Sequence, residues 1–221
     1  MRVVLKLGGR VASDSIGLAL ERHAAGDEVL VVHGAGPQIT AELRSSGIST
    51  RFVAGRRFTD PATLAIVHRS LVAVGAELSA ALGPAAIQLI GDEIGLEAVE
   101  LPELGLVGEP RPCRPAAIEA ALAVGLIPVV TPIAVGPLNV NADEAAAAFA
   151  AGLGADALVF VSDVPGVYLE GAVARELRAD DADELLHAGV FDGGMVPKLL
   201  AAVRAARLGI TAEIGETAVV A

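Results

Sequence analysis

The chain has 221 residues, 53% of them hydrophobic, only 3% aromatic, with a net charge of −11. With 27 acidic residues against 16 basic it lacks the positive field that holds nucleic acid or anionic lipid, and the scarcity of aromatic rings disfavours base stacking. The length suits a single domain, the lone Cys113 has no internal disulfide partner, no secretory leader opens the chain, and apolar runs stay below the ~20 residues that span a bilayer, so a cytoplasmic protein is expected.

Arg2 to Leu7 is a short β-branched run ending at Gly8 and Gly9, and Glu28 to His33 repeats it, ending at Gly34, Ala35 and Gly36. Such continuous apolar runs suit strands buried on both faces. The helical spacing of Asp14 to Ala25 between them, with Gly26 as its stop, completes a βαβ unit. Helices are predicted over Gln38 to Ser45 and Pro61 to Leu82, the latter capped by Asp60. Gln88 to Glu109 reads as hairpins and turns. There follow a helix (Pro115 to Val124), a strand (Leu126 to Thr131), a helix (Asp143 to Gly152), a strand (Ala157 to Ser162), a turn-rich stretch (Asp163 to Glu170), helices at Asp180 to Ala188 and Val196 to Leu208, and a short apolar tail. This alternation implies an α/β fold with an open, mostly parallel sheet covered on both faces.

Ligands of such sheets lie beyond the carboxyl ends of the strands. Four stretches there carry chemistry. The Gly8-Gly9 and Gly34-Ala35-Gly36 turns either serve as tight connections or expose backbone N–H groups to an anion. Neither a Walker loop nor a G-x-G-x-x-G fingerprint is present. Lys6, inside a buried strand, either reaches the surface along its stem or points into the cleft. Lys198 opens an apolar helix in a chain whose basic residues are almost all Arg, which suggests that a compact ammonium is wanted there. In Asn139-Val140-Asn141-Ala142-Asp143 a capping role for Asn141 or Asp143 explains one polar residue; an Asp143 carboxylate suits two ammonium groups and Asn139 an amide contact to a carboxylate. Arg56-Arg57 is either a solvated pair or a carboxylate clamp. No general base stands out, and phosphoryl transfer to a carboxylate needs none, because a carboxyl of pKa ~4.3 is already ionised at pH 7.

K-L-G-G, H-G-A-G-P, G-R-R-F-T-D, G-L-V-G-E, P-V-V-T-P, N-V-N-A-D-E-A-A, S-D-V-P-G-V-Y and G-G-M-V-P-K-L follow one another from Lys6 to about Leu208. In this order they resemble the amino-acid kinase family, and N-V-N-A-D with G-G-M-V-P-K is similar to those members that phosphorylate the side-chain carboxylate of N-acetyl-L-glutamate in arginine biosynthesis. The resemblance implies a three-layer α/β/α sandwich in one domain over 1–221, with a substrate lobe over roughly 1–150 and a nucleotide lobe over roughly 151–221. It implies that Lys6 and Lys198 stabilise the transferring phosphoryl group and that Asp143 orients both. Arg57 and Asn139 would hold the substrate's α-carboxylate, with Ala35 and Gly36 touching the substrate. Gly8, Gly9 and Gly34 would bind the phosphoryl group. Asp163, Val164, Pro165, Gly166, Val167, Tyr168, Val190, Phe191 and Asp192 would contact ATP, which arrives with Mg2+; no separate metal site is expected. The other readings are a sister kinase for carrier-bound aminoadipate or glutamate, and a non-catalytic binder of the same fold.

The chain departs from the resemblance at Ala35, where the turn usually has a glycine, and over Ile210 to Ala221, which is short for a nucleotide lobe. Leu64, Val67, Leu71, Val74, Leu78 and Leu82 recur at helical spacing and, with the resemblance, suggest a homodimer through the long helix. The resemblance implies that members inhibited by arginine carry an additional helix ahead of the first strand; with that strand starting here at about Arg2, the expectation is an enzyme indifferent to arginine.

Overall fold

The computed structural model describes residues 1–8, 13–161 and 164–221, and only the backbone at 13 and 14. The chain runs β1 (Arg2–Leu7), α1 (Ser13–Ala24), β2 (Glu28–His33), α2 (Gly36–Ser45), β3 (Phe52–Val53), β4 (Arg56–Arg57), α3 (Pro61–Leu82), β5 (Ala86–Ile90), β6 (Ala98–Glu100) and β7 (Val107–Pro110). It continues with α4 (Ala116–Ala123), β8 (Ile127–Thr131), β9 (Ile133–Ala134), β10 (Leu138–Val140), α5 (Ala142–Leu153), β11 (Ala157–Val161), β12 (Tyr168–Leu169), β13 (Ala172–Val173), β14 (Glu176–Arg178), α6 (Ala179–His187), α7 (Met195–Arg207), β15 (Thr211–Ile214) and β16 (Thr217–Val220).

Eight strands form one sheet in the order β14-β16-β15-β11-β1-β2-β8-β5. The six from β15 to β5 are parallel, and β16 turns back antiparallel to β15. Two apolar clusters cover its faces. Val3, Leu5, Leu7, Val29 and Val31 pack with Leu43, Val67, Leu71 and Leu78 on one side; Val4, Leu30, Val32, Leu158 and Phe160 pack with Ala146, Phe149, Leu199 and Ala202 on the other. The two-residue alternation of strand side chains thus sends consecutive positions of β1 to opposite layers, and Lys6 falls on the layer built by α5 and α7. A second sheet, β6-β7-β10-β9, stands over the carboxyl side of this layer's cleft and supplies Asn139.

Two expectations need correction. The reading of Gln88 to Glu109 as hairpins and turns missed β5, which forms the outer edge of the main sheet beside β8; its AIQLI sequence carries a polar Gln88 because an edge strand is only half covered. The apolar tail is a hairpin, β15–β16, that continues the sheet beyond β11 and is itself flanked by β14, the strand at the other edge. The capping of α3 is as expected, with the Asp60 side chain accepting from the N–H of Thr63 at 2.7 Å. That helix is long and apolar enough to cross a membrane by length and composition. Its stripe of Leu64, Val67, Leu71, Val74, Leu78 and Leu82 is, however, buried within the chain, so the apolar surplus that suggested a dimer is spent on the chain's own sheet.

Candidate active site

The strand order reverses at β1, with β2, β8 and β5 to one side and β11 and β15 to the other, which opens a crevice above the carboxyl ends of the strands. Three charged side chains meet there. Lys6 comes from β1, Asp143 from the first turn of α5 and Lys198 from the first turn of α7. Lys6 Nζ lies 2.8 Å and Lys198 Nζ 3.2 Å from the same Asp143 oxygen, Oδ1. All three are buried, the lysines 8% exposed, and they are the chain's two lysines in total. Burial alone would raise the Asp143 carboxyl, but the two ammonium groups outweigh it and hold the group below the usual carboxylate range. Burial lowers the Lys198 ammonium below the ordinary lysine value, Lys6 pushes the same way, and Asp143 only partly restores it. Lys6 therefore points into the cleft. Lys198 also lies over the Phe160 ring, 5.4 Å from its centre.

The three polar residues around Asn141 divide the work. Asn141 caps α5, its Oδ1 accepting from the N–H of Asp143 at 2.8 Å and of Glu144 at 3.3 Å. Asn139 donates from Nδ2 to Thr59 Oγ1 at 2.9 Å, and Thr59 in turn donates to the carbonyl of Arg57 at 2.8 Å. Asp143 is left to the lysines.

The arginine pair also divides. Arg56 donates from Nε to both Glu144 oxygens at 3.0 and 3.1 Å, and its Nη2 lies 2.8 Å from Glu144 Oε1 and 3.7 Å from Glu109. Arg57 is 7% exposed and has no carboxylate partner among the described residues. Its Nη2 donates to Thr40 Oγ1 at 3.0 Å and reaches the Gly36 carbonyl at 3.5 Å, while Nη1 is buried without a partner among the described residues. The guanidinium stacks on the Phe52 ring at 4.5 Å, and burial lowers its pKa. A buried cation without a counter-ion is costly, and with none among the described residues Arg57 is suited to an anion from outside the chain. Arg57 and Asn139 line, with Lys6, Asp143, Gly34, Ala35 and Gly36, a cleft of about 190 Å3. Thr40, Thr59, Glu144 and the pairing of Arg56 escaped the sequence reading; the Thr of G-R-R-F-T-D was the available signal for Thr59.

At the second turn, the Gly34 N–H is taken by the Leu7 carbonyl at 3.0 Å, so it is a strut and not a free donor. The next donors belong to the first turn of α2, which starts at Gly36 without a side-chain cap, and first-turn N–H groups have no acceptor inside their helix. A Cβ placed on Gly8 or Gly36 would meet nothing within 4 Å, and neither has a positive φ. Among the described residues the bare backbone at both positions leaves room for a group from outside the chain to approach closely. Ala35 is 1% exposed and packs with Ile39, Leu43 and Leu71. Its methyl belongs to the core. His33 is wholly buried, with Nε2 3.4 Å from Thr131 Oγ1, and burial drops its pKa to about 4. It packs beneath the turn and offers no base to the cleft.

The segment after β11 leans on the C-terminal hairpin. Thr217 Oγ1 accepts from the Val167 N–H at 2.8 Å, and a Cβ on Gly166 would come within 2.6 Å of that oxygen. Val167 is fully buried, whereas Val164, Pro165 and Tyr168 are exposed, as are Val190 and Asp192; Phe191 is half-buried. A cavity of about 520 Å3 lies between the β3–β4 turn and Gly193, Gly194, Val196 and Pro197 at the start of α7. Gly9 and Asp163 lie outside the described residues.

An open, mostly parallel sheet whose crevice holds two lysines on one carboxylate, beside an arginine with no carboxylate partner among the described residues, presents a cationic site suited to anions. The amino acid kinase family matches residues 1–216, and the chain belongs to it. It is 40% identical over 225 residues to the acetylglutamate kinase of Roseiflexus sp. (strain RS-1), covering 95% of this chain and 86% of that one. The acetylglutamate kinase of Geobacillus stearothermophilus is 37% identical over 219 residues, covering 92% and 84%. A crystal structure from Streptococcus mutans UA159 superposes with a TM-score of 0.91 at 26% identity, covering 99% of this chain and 98% of that one.

Proposed function

We propose that this enzyme transfers the γ-phosphoryl group of ATP to the side-chain carboxylate of N-acetyl-L-glutamate, giving the 5-acyl phosphate and ADP. The observation that carries the reading is the pairing of Lys6 and Lys198 on one buried Asp143 oxygen next to the uncompensated Arg57. A substrate carboxylate oxygen forms its bond to the γ-phosphorus as the bond to the bridging oxygen of ADP breaks, and no proton needs to move. The obstacle is the repulsion between two anions. Lys6 and Lys198, held in place by Asp143, meet the charge on the phosphoryl oxygens as it shifts, in a crevice that water screens poorly. Arg57 and Asn139 hold the α-carboxylate, and the first turn of α2 faces the phosphoryl group.

ATP is drawn as its magnesium complex, the ion riding on the phosphates as part of the substrate. The start of α7 and the exposed residues Val164, Pro165, Tyr168, Val190 and Asp192, with Phe191, border the nucleotide. Gly166 and Val167 act there by holding the 164–168 segment on the β15–β16 hairpin. We assign residues 1–150 to the substrate side and 151–221 to the nucleotide side of one domain. A homodimer through the outward face of α3, where Ala62, Ala65, Ala73, Ala76 and Ala80 are exposed, and a cytoplasmic location complete the reading. Light scattering at micromolar concentration decides the dimer, a monomeric mass overturning it.

The test of function is ADP release with N-acetyl-L-glutamate, L-glutamate, L-aspartate and L-aminoadipate as acceptors, with the acyl phosphate trapped as its hydroxamate. Acetylglutamate is expected to exceed the others in kcat/KM. Equal or greater use of aminoadipate, or no hydroxamate with any, would remove the assignment.

A further inference from the structure

Two successive residues of the β3–β4 hairpin touch the chain neighbours of two site residues, and the next is itself a site residue. At its turn, Gly55 lies so close to Pro197 that an added Cβ would sit 3.0 Å from the ring, and Pro197 precedes Lys198. Arg56 grips Glu144, the neighbour of Asp143, through Nε to both carboxylate oxygens and Nη2 to one. Arg57 reaches Thr40 and Gly36 on α2. The turn residues Ala54 and Gly55 both have positive φ, 48° and 78°, so the hairpin reverses in two residues and Arg56 follows at once.

Adjacent residues of a strand point to opposite faces. The face of β4 away from Arg57 is therefore fastened by Arg56, and the fastening point is one residue from the carboxylate that orders both lysines. From the Arg56–Glu144 grip we infer that Arg56 is a positioning residue: by seating β4 on the first turn of α5 it sets the distance between Arg57, which holds the substrate, and Asp143, which holds the lysines. Stability does not account for the pair. Burial raises the Glu144 carboxyl above its ordinary value despite the pull of Arg56, with Glu109 adding to the rise and Arg204 opposing it, and a buried ion pair returns little net stabilisation. What a three-contact grip does provide is a fixed direction. Glu109 of β7, which also contacts Arg56 and lies 3.1 Å from Arg204 of α7, extends the fastening to the helix that carries Lys198.

This inference rests on the reading of Arg57 as the substrate clamp. Its test compares the wild-type enzyme with Arg56→Met, Glu144→Gln, the double variant and Arg56→Lys. Initial rates are measured against acetylglutamate and ATP separately, and hydrogen exchange is followed at the amides of residues 52–58 without substrate. A displaced clamp costs about tenfold or more, so both single variants are expected to raise KM for acetylglutamate by that factor with KM for ATP within about twofold. The double variant should be no worse than either single, because both remove one interaction, and Arg56→Lys should recover part of the loss. Exchange over 52–58 should quicken in Arg56→Met and Glu144→Gln. Unchanged KM for acetylglutamate, an equal rise in both KM values, or additive losses would overturn the positioning role. If the wild type does not phosphorylate acetylglutamate, the functional reading fails separately, and exchange then decides alone: faster exchange supports the seating of β4 by Arg56, and unchanged exchange overturns it.

Discussion

Lys6 and Lys198, the only lysines in the chain, end on one oxygen of Asp143 at 2.8 and 3.2 Å. Two ammonium groups repel, so without the carboxylate between them they would separate, and the shared oxygen fixes their spacing. Replacing either by Ala should lower kcat by about 100-fold or more, the loss typical of a donor that meets charge developing in the transition state, with a smaller change in KM for acetylglutamate. A variant within a few-fold of wild type would take that lysine out of the mechanism.

The alkaline side of the pH profile should report Lys198. Its ammonium is held below the ordinary lysine value in the free protein, mainly by burial, so kcat/KM, which reports the free enzyme's groups, should fall through an apparent pKa under 10.5. Lys198→Arg keeps its charge at any accessible pH and should move that fall upward, whatever it does to the rate. An unmoved alkaline limb would assign the ionisation to another group.

Arg57→Ala should act on the other substrate parameter. A buried guanidinium that meets a carboxylate contributes about 1.5–3 kcal/mol per charged hydrogen bond, which corresponds to a rise of roughly tenfold to a hundredfold in KM for acetylglutamate. KM for ATP should stay within about twofold. Equal effects on both would place Arg57 between the substrates and not at the α-carboxylate.

Gly36→Ala separates folding from function. Among the described residues, no atom outside its chain neighbours and its own helix lies within 4 Å of the added Cβ, and at the first position of α2 Ala adopts the helical backbone at least as readily as Gly. Thermal stability should therefore hold or rise while kcat/KM falls by about tenfold, by contact with the ligand that the glycine admits. Retained activity would show that the space above Gly36 is empty during turnover.

His33 should mark acid stability. Its folded pKa is about 4 against 6.5 for the free group because burial disfavours the cation. A depressed folded pKa means that the unfolded chain binds the proton first, so this contribution is full above pH ~6.5 and lost as pH falls toward 4. It amounts to about 3 kcal/mol. Urea midpoints between pH 7.5 and 4 should show this slope in the wild type and a shallower one in His33→Gln, and identical slopes would refute it.

The sequence by itself determined the βαβ opening, the parallel sheet, the boundaries of the main helices to within about two residues, and the candidacy of Lys6, Lys198 and Asp143. These features follow from local hydrophobic periodicity, caps and glycines, which act over a few residues. It left four matters to the tertiary structure. Whether Lys6 surfaced or turned inward depended on α5 and α7 covering its face of β1. Which arginine of the pair was free depended on Glu144 and Glu109, far along the chain, neutralising Arg56 and not Arg57. The Gly34 N–H found its acceptor in the Leu7 carbonyl of a neighbouring strand. The stripe of α3 was spent on the sheet, AIQLI became an edge strand, and the C-terminal tail became a hairpin seated between β11 and β14, because strand pairing is decided by partners distant in sequence. Charge neutralisation and burial are properties of pairs brought together by folding, and no single stretch of sequence contains them.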